Sequence, residues 1–247
     1  MVNVWTIAKR EYNLYFSSPV AYMMAFVVFL VLGIFFFLNL QVAIQQQGYV
    51  PGAEITMAPL ATLLVLITPA ITTRLLAEER RLGTIELLLT APVRDWELVV
   101  GKWLGAFFML LTIVAITIVY PLLLNQLVDP GIDQGPLLSG YLGLILLSAS
   151  MVAVGVFISS LFSNQIAAFV TTLGGLIFLW WVLSPIAQVT GPLGGSSELI
   201  TYLDYSGHYF DTMLRGVIDL KDVVFYLSVT ALALFFGTVS IEIRRWG

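Results

Sequence analysis

Six stretches of this chain are long and apolar enough to cross a bilayer, and nothing else in the sequence restricts its fold so strongly. A helix needs about 20 predominantly apolar residues to span the hydrocarbon core. Residues 19–40, 56–73, 98–124, 137–162, 166–188 and 223–241 meet that requirement. Hydrocarbon offers no partner to a bare N–H or C=O, so runs of this length predict helices rather than loops or open strands. The expected fold class is an all-α polytopic membrane protein with six transmembrane helices. Composition agrees: charged residues make up 11% of the chain, against roughly 25% in soluble domains.

The cations set the orientation. Lys9 and Arg10 precede the first span; Arg74, Arg80, Arg81, Arg94 and Lys102 lie between or flank the second and third; Arg244 and Arg245 follow the sixth. These nine of the eleven Lys and Arg residues fall on one side if the spans alternate. The loops at 41–55 and 125–136 hold none, and Arg215 and Lys221 lie in the long 189–222 segment. The positive-inside rule then makes both termini cytoplasmic. The first apolar run is longer than a signal-peptide core of roughly 7–15 residues and no small-residue cleavage site follows it, which predicts an uncleaved span. Ahead of it, residues 1–18 place Val4, Trp5, Ala8, Tyr12, Tyr15 and Phe16 on one broad helical face, the pattern of a helix lying in the membrane interface.

What the spans lack narrows the function. Away from their ends they hold no ionisable residue, and Arg74, Lys102 and Glu242 lie close enough to the boundary to snorkel. Ion-coupled carriers usually need intramembrane charge. The single histidine, His208, lies in the outer segment, cysteine is absent, and neither HExxH nor a P-loop occurs. No catalytic, metal or cofactor site is expected in this chain, and nothing points to nucleic acid. Gly101 with Gly105, and Ser148, Ala149, Ala153, Gly155 and Ser159, are small residues that let helices approach closely; a substrate path is the other use for them. Pro69 is placed to kink the second span, and Thr62, Thr68, Thr72 and Thr73 are placed to satisfy carbonyls that the prolines free.

The densest charge lies in the 74–97 loop, around EERRLGTIELLLTAPVRDWE. Glu78 and Arg81 are spaced to pair on one helical face. Gly83 breaks that helix, and Thr84 is positioned to cap a short apolar one over Ile85 to Leu89, with Glu86 in its first turn, where the helix dipole favours an acid. Pro92 ends it, and Asp95 is positioned to cap the next. Apolar residues flanked by charge suit a protein-contact patch; equally, the leucines can rest on headgroups or on the bundle.

These residues carry a resemblance. EERRLGTIELLLTAPV resembles the signature of permease subunits of ABC-2 type ABC transporters, in which an acidic-basic pair is followed by Gly-Thr-Ile-Glu-Leu-Leu and a proline. The likeness extends to the KRE-like interfacial helix followed by SSP, to SSLFSNQ between the fourth and fifth spans, and to RGVIDLKDVVFYL before the sixth. REYNLYFSSPVAY and that last segment are most similar to the gliding-motility-associated branch.

The resemblance implies a coupling helix after the second span that docks on a separate cytoplasmic ABC ATPase, with Glu78, Glu79, Arg80, Gly83, Thr84, Ile85, Glu86, Leu87 and Leu88 as contacts or their supports. Ser163, Asn164 and Gln165 would make a second, smaller contact, or simply cap the fifth span. ATP and magnesium would be bound by the partner. The chain would work as a dimer with itself or with a second permease in the bacterial inner membrane. Segment 189–222 would supply short outer re-entrant helices, with Tyr202, Tyr205, His208, Tyr209 and Phe210 as interfacial anchors or contacts to an external partner. Outward transport is the first functional expectation. The alternative is a mechanical or assembly component that couples the ATPase to a periplasmic or membrane partner without moving a substrate.

Overall fold

The computed structural model describes residues 2–46, 50–83, 93–190, 200 and 202–245, and every regular element among them is helical. Helix α1, Val2–Ser17, stops where Ser18 precedes Pro19, because a residue before proline is pushed out of the helical region. Ser18 is extended, and its hydroxyl accepts the Val20 N–H at 3.3 Å, capping α2, Pro19–Gln45. Helix α3, Glu54–Thr72, carries Pro59 and Pro69 inside it. A non-helical turn then leads to α4, Ala77–Arg81.

The expected third span is two helices. α5, Asp95–Ile116, and α6, Val119–Leu127, are separated at Thr117 and Ile118. The cause is Pro121, which has no N–H to offer the Thr117 carbonyl; the Tyr120 N–H takes that carbonyl in a tighter turn at 3.1 Å. Helix α7, Gln134–Leu161, is capped by Asp133, whose carboxylate accepts the Gly135 N–H at 2.9 Å. Helix α8, Gln165–Ile177, continues through a π-turn at Phe178–Val182 into α9, Leu183–Thr190. That widening directly precedes Pro185, which cannot donate to Trp181. A π-turn at His208–Thr212 and a 3₁₀ turn at Met213–Arg215 lead to α10, Leu220–Arg245.

Six helical stretches are long and apolar enough to cross a membrane: Pro19–Gln45, Glu54–Arg81, Asp95–Leu127, Gln134–Leu161, Gln165–Ile186 and Leu220–Ile243. Helix α7 is the central post, packed against α3, α5, α8 and α10. Its small residues explain the position. A side chain at Gly155 would meet Thr72 of α3, one at Gly140 would meet Met57, and one at Gly143 would meet Tyr209 and Met213. Helix α2 is apolar on every face and mostly exposed, as a lipid-facing span should be.

The threonines of α3 do less than expected. Thr62, Thr68 and Thr72 bond the carbonyls of Ala58, Leu64 and Thr68, their own i−4 neighbours. The carbonyls freed by Pro59 and Pro69 belong to Ile55 and Val65, one register away.

At the end opposite the charged loop, the 202–216 segment folds into the bundle. Tyr205 and Tyr209 are fully buried, and His208 is stacked on Phe225 at 4.1 Å. The His208 ring nitrogens meet Asp222 Oδ1 at 2.6 Å and the Tyr202 carbonyl at 2.8 Å. Thr212 donates to the other Asp222 oxygen, and Ser139 of α7 donates to the Met213 carbonyl at 2.6 Å. These aromatic residues hold the start of α10 against α7. Tyr205, His208 and Tyr209 are therefore neither surface anchors nor a docking face, while Tyr202 is exposed and Phe210 half-buried. Burial pushes the Tyr205 and Tyr209 phenols well above their ordinary range, so both stay neutral.

Gly155→Leu is expected to cost about 1–3 kcal/mol by overpacking and to lower the Tm in detergent by about 2–4 °C for each kcal/mol. Gly174→Ala, which meets nothing within 4 Å, should leave the Tm unchanged.

Candidate functional site at the root of the second-to-third loop

The charged loop begins on α4. There Glu78 and Arg81 pair at 3.6 Å, and the helix ends as Leu82 and Gly83 donate to the Glu78 and Arg80 carbonyls. Gly83 has φ +69°, a left-handed conformation that favours glycine and turns the chain out of the helix. Thr84, Ile85, Glu86, Leu87 and Leu88 lie outside the described residues, as does the expected apolar helix they would form. Ser163 and Asn164 are exposed on the turn between α7 and α8. Asn164 caps α8, its side-chain oxygen accepting the Ile166 N–H at 2.9 Å and the Ala167 N–H at 3.4 Å. Gln165, the first residue of α8, lines a small cavity with Arg74. Helix α4 packs against α7 and α8, so both expected contact segments share one end of the bundle.

Two side chains, the buried Ser159 and the half-buried Tyr15, stitch the turn between α3 and α4. Ser159 of α7, the first residue of SSLFSNQ, accepts the N–H groups of Leu76 and Ala77 at 3.2 and 3.0 Å and donates to the Thr73 carbonyl at 3.3 Å. It caps α4 from another helix. Tyr15 of α1 donates to the Ile71 carbonyl at 2.9 Å, a group left over where α3 ends. Burial first, and then the Glu11 carboxylate, raise the Tyr15 phenol far above its usual range, which keeps that donor proton in place.

The strongest charge interaction lies beside this joint. Lys102 of α5 is 2% exposed, and its ammonium contacts Glu11 Oε1 at 2.9 Å and Glu79 Oε1 at 2.7 Å. It does not snorkel. One lysine thereby links α1, α4 and α5 in a desolvated setting, where removing one partner costs about 3–5 kcal/mol because the others are left as uncompensated charge. A cavity of about 580 Å³ opens next to the cluster, lined among others by Arg10, Arg74 and Glu78.

The glycine pair has a more specific use than close packing between spans. Gly101 and Gly105 seat α1: a side chain at Gly101 would meet Ile7 at 2.8 Å, and one at Gly105 would meet Glu11 Cβ at 2.5 Å. Contacts then advance together along both helices, from Asn3 Nδ2 to Glu97 Oε2 at 3.2 Å through to Tyr12 and Thr112 at 3.1 Å. The packed face of α1 thus includes Ile7 and Glu11, and Trp5 is 60% exposed. The start of α5 is held by Glu97, which accepts the Arg94 N–H at 3.0 Å, rather than by an Asp95 cap; Asp95 is the first residue of the helix.

Lys102, Glu11, Tyr15 and Ser159 are members of this site that the sequence did not assign to it. The available signal was Lys102 beside Gly101 and three residues before Gly105, which puts a lysine on the face that admits another helix. Gly105→Leu should dislodge α1. A cysteine pair at positions 3 and 97, in a chain with no native cysteine, is expected to crosslink about tenfold less in that variant.

The family model described as ABC-2 family transporter protein matches residues 43–241, which takes in the charged loop, SSLFSNQ and the outer segment. No curated protein matches the chain. A match over most of the chain, on a bundle of this kind, makes it a member of the ABC-2 transporter family and the multi-pass transmembrane permease subunit of an ABC transporter.

Proposed function

We propose that this chain moves substrate outward across the bacterial cytoplasmic membrane, driven by ATP that a separate ABC ATPase hydrolyses. The ATPase docks on the 74–97 loop. The observation that carries this reading is the Lys102–Glu79 contact at 2.7 Å, which joins the root where the chain enters the loop to the root where it leaves. A loop clamped at its base can pass a push into the bundle instead of absorbing it as local motion.

Glu78, Glu79, Arg80 and Gly83 support the docking segment from α4, and Thr84, Ile85, Glu86, Leu87 and Leu88 form its contact surface. Ser163, Asn164 and Gln165 make the smaller second contact at the same end. ATP and magnesium sit in the partner, and this chain is non-catalytic. Two ATPases act on a pair of permeases, this chain with a second copy or with a different one. Both termini are cytoplasmic. The ends of α7 and α10 meet through Ser240 and the Ser160 carbonyl at 3.2 Å, and α7 meets α4 through Ser159, which supports a common side for the C-terminus and the loop. Placement in the gliding-motility-associated branch rests on REYNLYFSSPVAY and RGVIDLKDVVFYL. No observation among the described residues favours the purely mechanical role.

The test is to purify the tagged chain from its native membrane in mild detergent, with and without trapped ATP, and to identify what accompanies it. A stoichiometric ABC ATPase is expected. Glu86→Arg and Leu88→Asp should each leave insertion intact and lower ATPase capture about tenfold or more. Normal capture by both variants removes this loop from the interface.

A further inference from the structure

We infer that Lys102 is a positioning residue that makes α1 move with the root of the loop, so that a push on α4 reaches the first span through α1 as well as through α3. The inference rests on the ATPase-docking reading above and names a path within it.

The geometry of α4 is that of a jointed piece. It has five residues, its N-cap Leu76 lies outside the helical region at φ −126°, and no cap comes from its own side chains. Its first N–H groups are held instead by Ser159, from a different helix. A displacement of α4 therefore turns about residues 73–76 and need not carry α3 with it. What α4 does hold firmly is Lys102, through Glu79, and Lys102 holds Glu11 of α1 with a second of its three N–H donors.

Burial makes the connection stiff. At 2% exposure the ammonium has almost no water to take the place of a departing carboxylate, and two carboxylates brought to one cation repel each other once that cation withdraws. Helix α1 can follow because its long packed face, at Gly101, Gly105 and Asn3, lies on the same helix that carries Lys102; its far end is tied separately to α3 by the Tyr15 bond to the Ile71 carbonyl. Between α1 and α2 only Ser18 intervenes, so a swing of α1 acts directly on the first span. That span is the least buried of the six, with 17% of its apolar window inside the protein. It is the one that can move at least cost in lost packing.

Because this chain has no native cysteine, it adds no background of its own to paired spin labels. One pair at Lys9 and Leu161 reports α1 against the central post, and a second at Leu82 and Leu161 reports the loop root. Both are measured by electron–electron distance methods in the complex with its ATPase, nucleotide-free and trapped with ATP and vanadate. With Lys102 present, both distributions should shift on trapping, by about 2 Å. Lys102→Met should abolish the Lys9 shift and retain the Leu82 shift, and Lys102→Arg should restore the first. Glu11→Met, which keeps the Lys102–Glu79 pair, is the second variant should Lys102→Met fail to fold, and it should also lose the Lys9 shift. A full Lys9 shift in Lys102→Met, or in Glu11→Met, overturns the inference while leaving ATPase docking intact. A Leu82 pair that stays still in the unmutated complex overturns the docking reading itself, and this inference with it.

Discussion

Hydrocarbon cannot hydrogen-bond, and among the described residues that constraint decides how helix ends are joined inside the bundle. At several of these ends the carbonyl or N–H left behind is met by a side chain from another element. Tyr15 serves Ile71 at the end of α3, Ser159 serves Thr73, Leu76 and Ala77, and Ser139 serves Met213 at the outer turns. Between intact helices, Tyr120 donates to the Phe29 carbonyl and Trp103 to the Ala149 carbonyl. These bonds decide which helices must remain neighbours, since an apolar surface by itself is as content against lipid as against another helix.

The Lys102 cluster applies the same rule to charge. An ammonium taken out of water needs its full complement of partners, and here they come from two other elements. The consequence is mechanical. Three pieces with no covalent reason to travel together, α1, the loop root and the start of the third span, share one ion. On the coupling proposed above, such a link converts a push at the surface into displacement of a span. The opposite end behaves differently: His208 and Thr212 both bond the Asp222 carboxylate, and the Tyr226 hydroxyl donates to the Tyr205 carbonyl, so this end acts as an anchor for α10.

Much of the site was legible in part. Gly83 ends α4 and Asn164 caps α8 for reasons visible in residue type alone, since a left-handed turn wants glycine and a helix N-terminus wants a short side-chain acceptor. Lys102 was visible as a cation near a boundary, and the same letter fits a snorkelling side chain or a buried bridge. Its two partners lie 91 and 23 residues away along the chain, and no local pattern pairs them. Pro121 was in plain view within the third span, yet whether a proline bends a membrane helix or breaks it depends on what neighbouring helices offer the freed carbonyl.

The sequence by itself determined that this is a six-span helical membrane protein with its cations gathered at one end, because length, apolarity and charge position are properties that a bilayer reads one segment at a time. Family membership was legible for a related reason: its signature is contiguous. Tertiary structure alone decided that Gly101 and Gly105 receive α1 rather than another span, that Ser159 caps a helix it does not belong to, and that the outer aromatic residues turn inward. Each of these depends on which surfaces meet. Among helices that are almost uniformly apolar, that choice is made by small differences in shape and by a few polar atoms whose partners are distant in the chain.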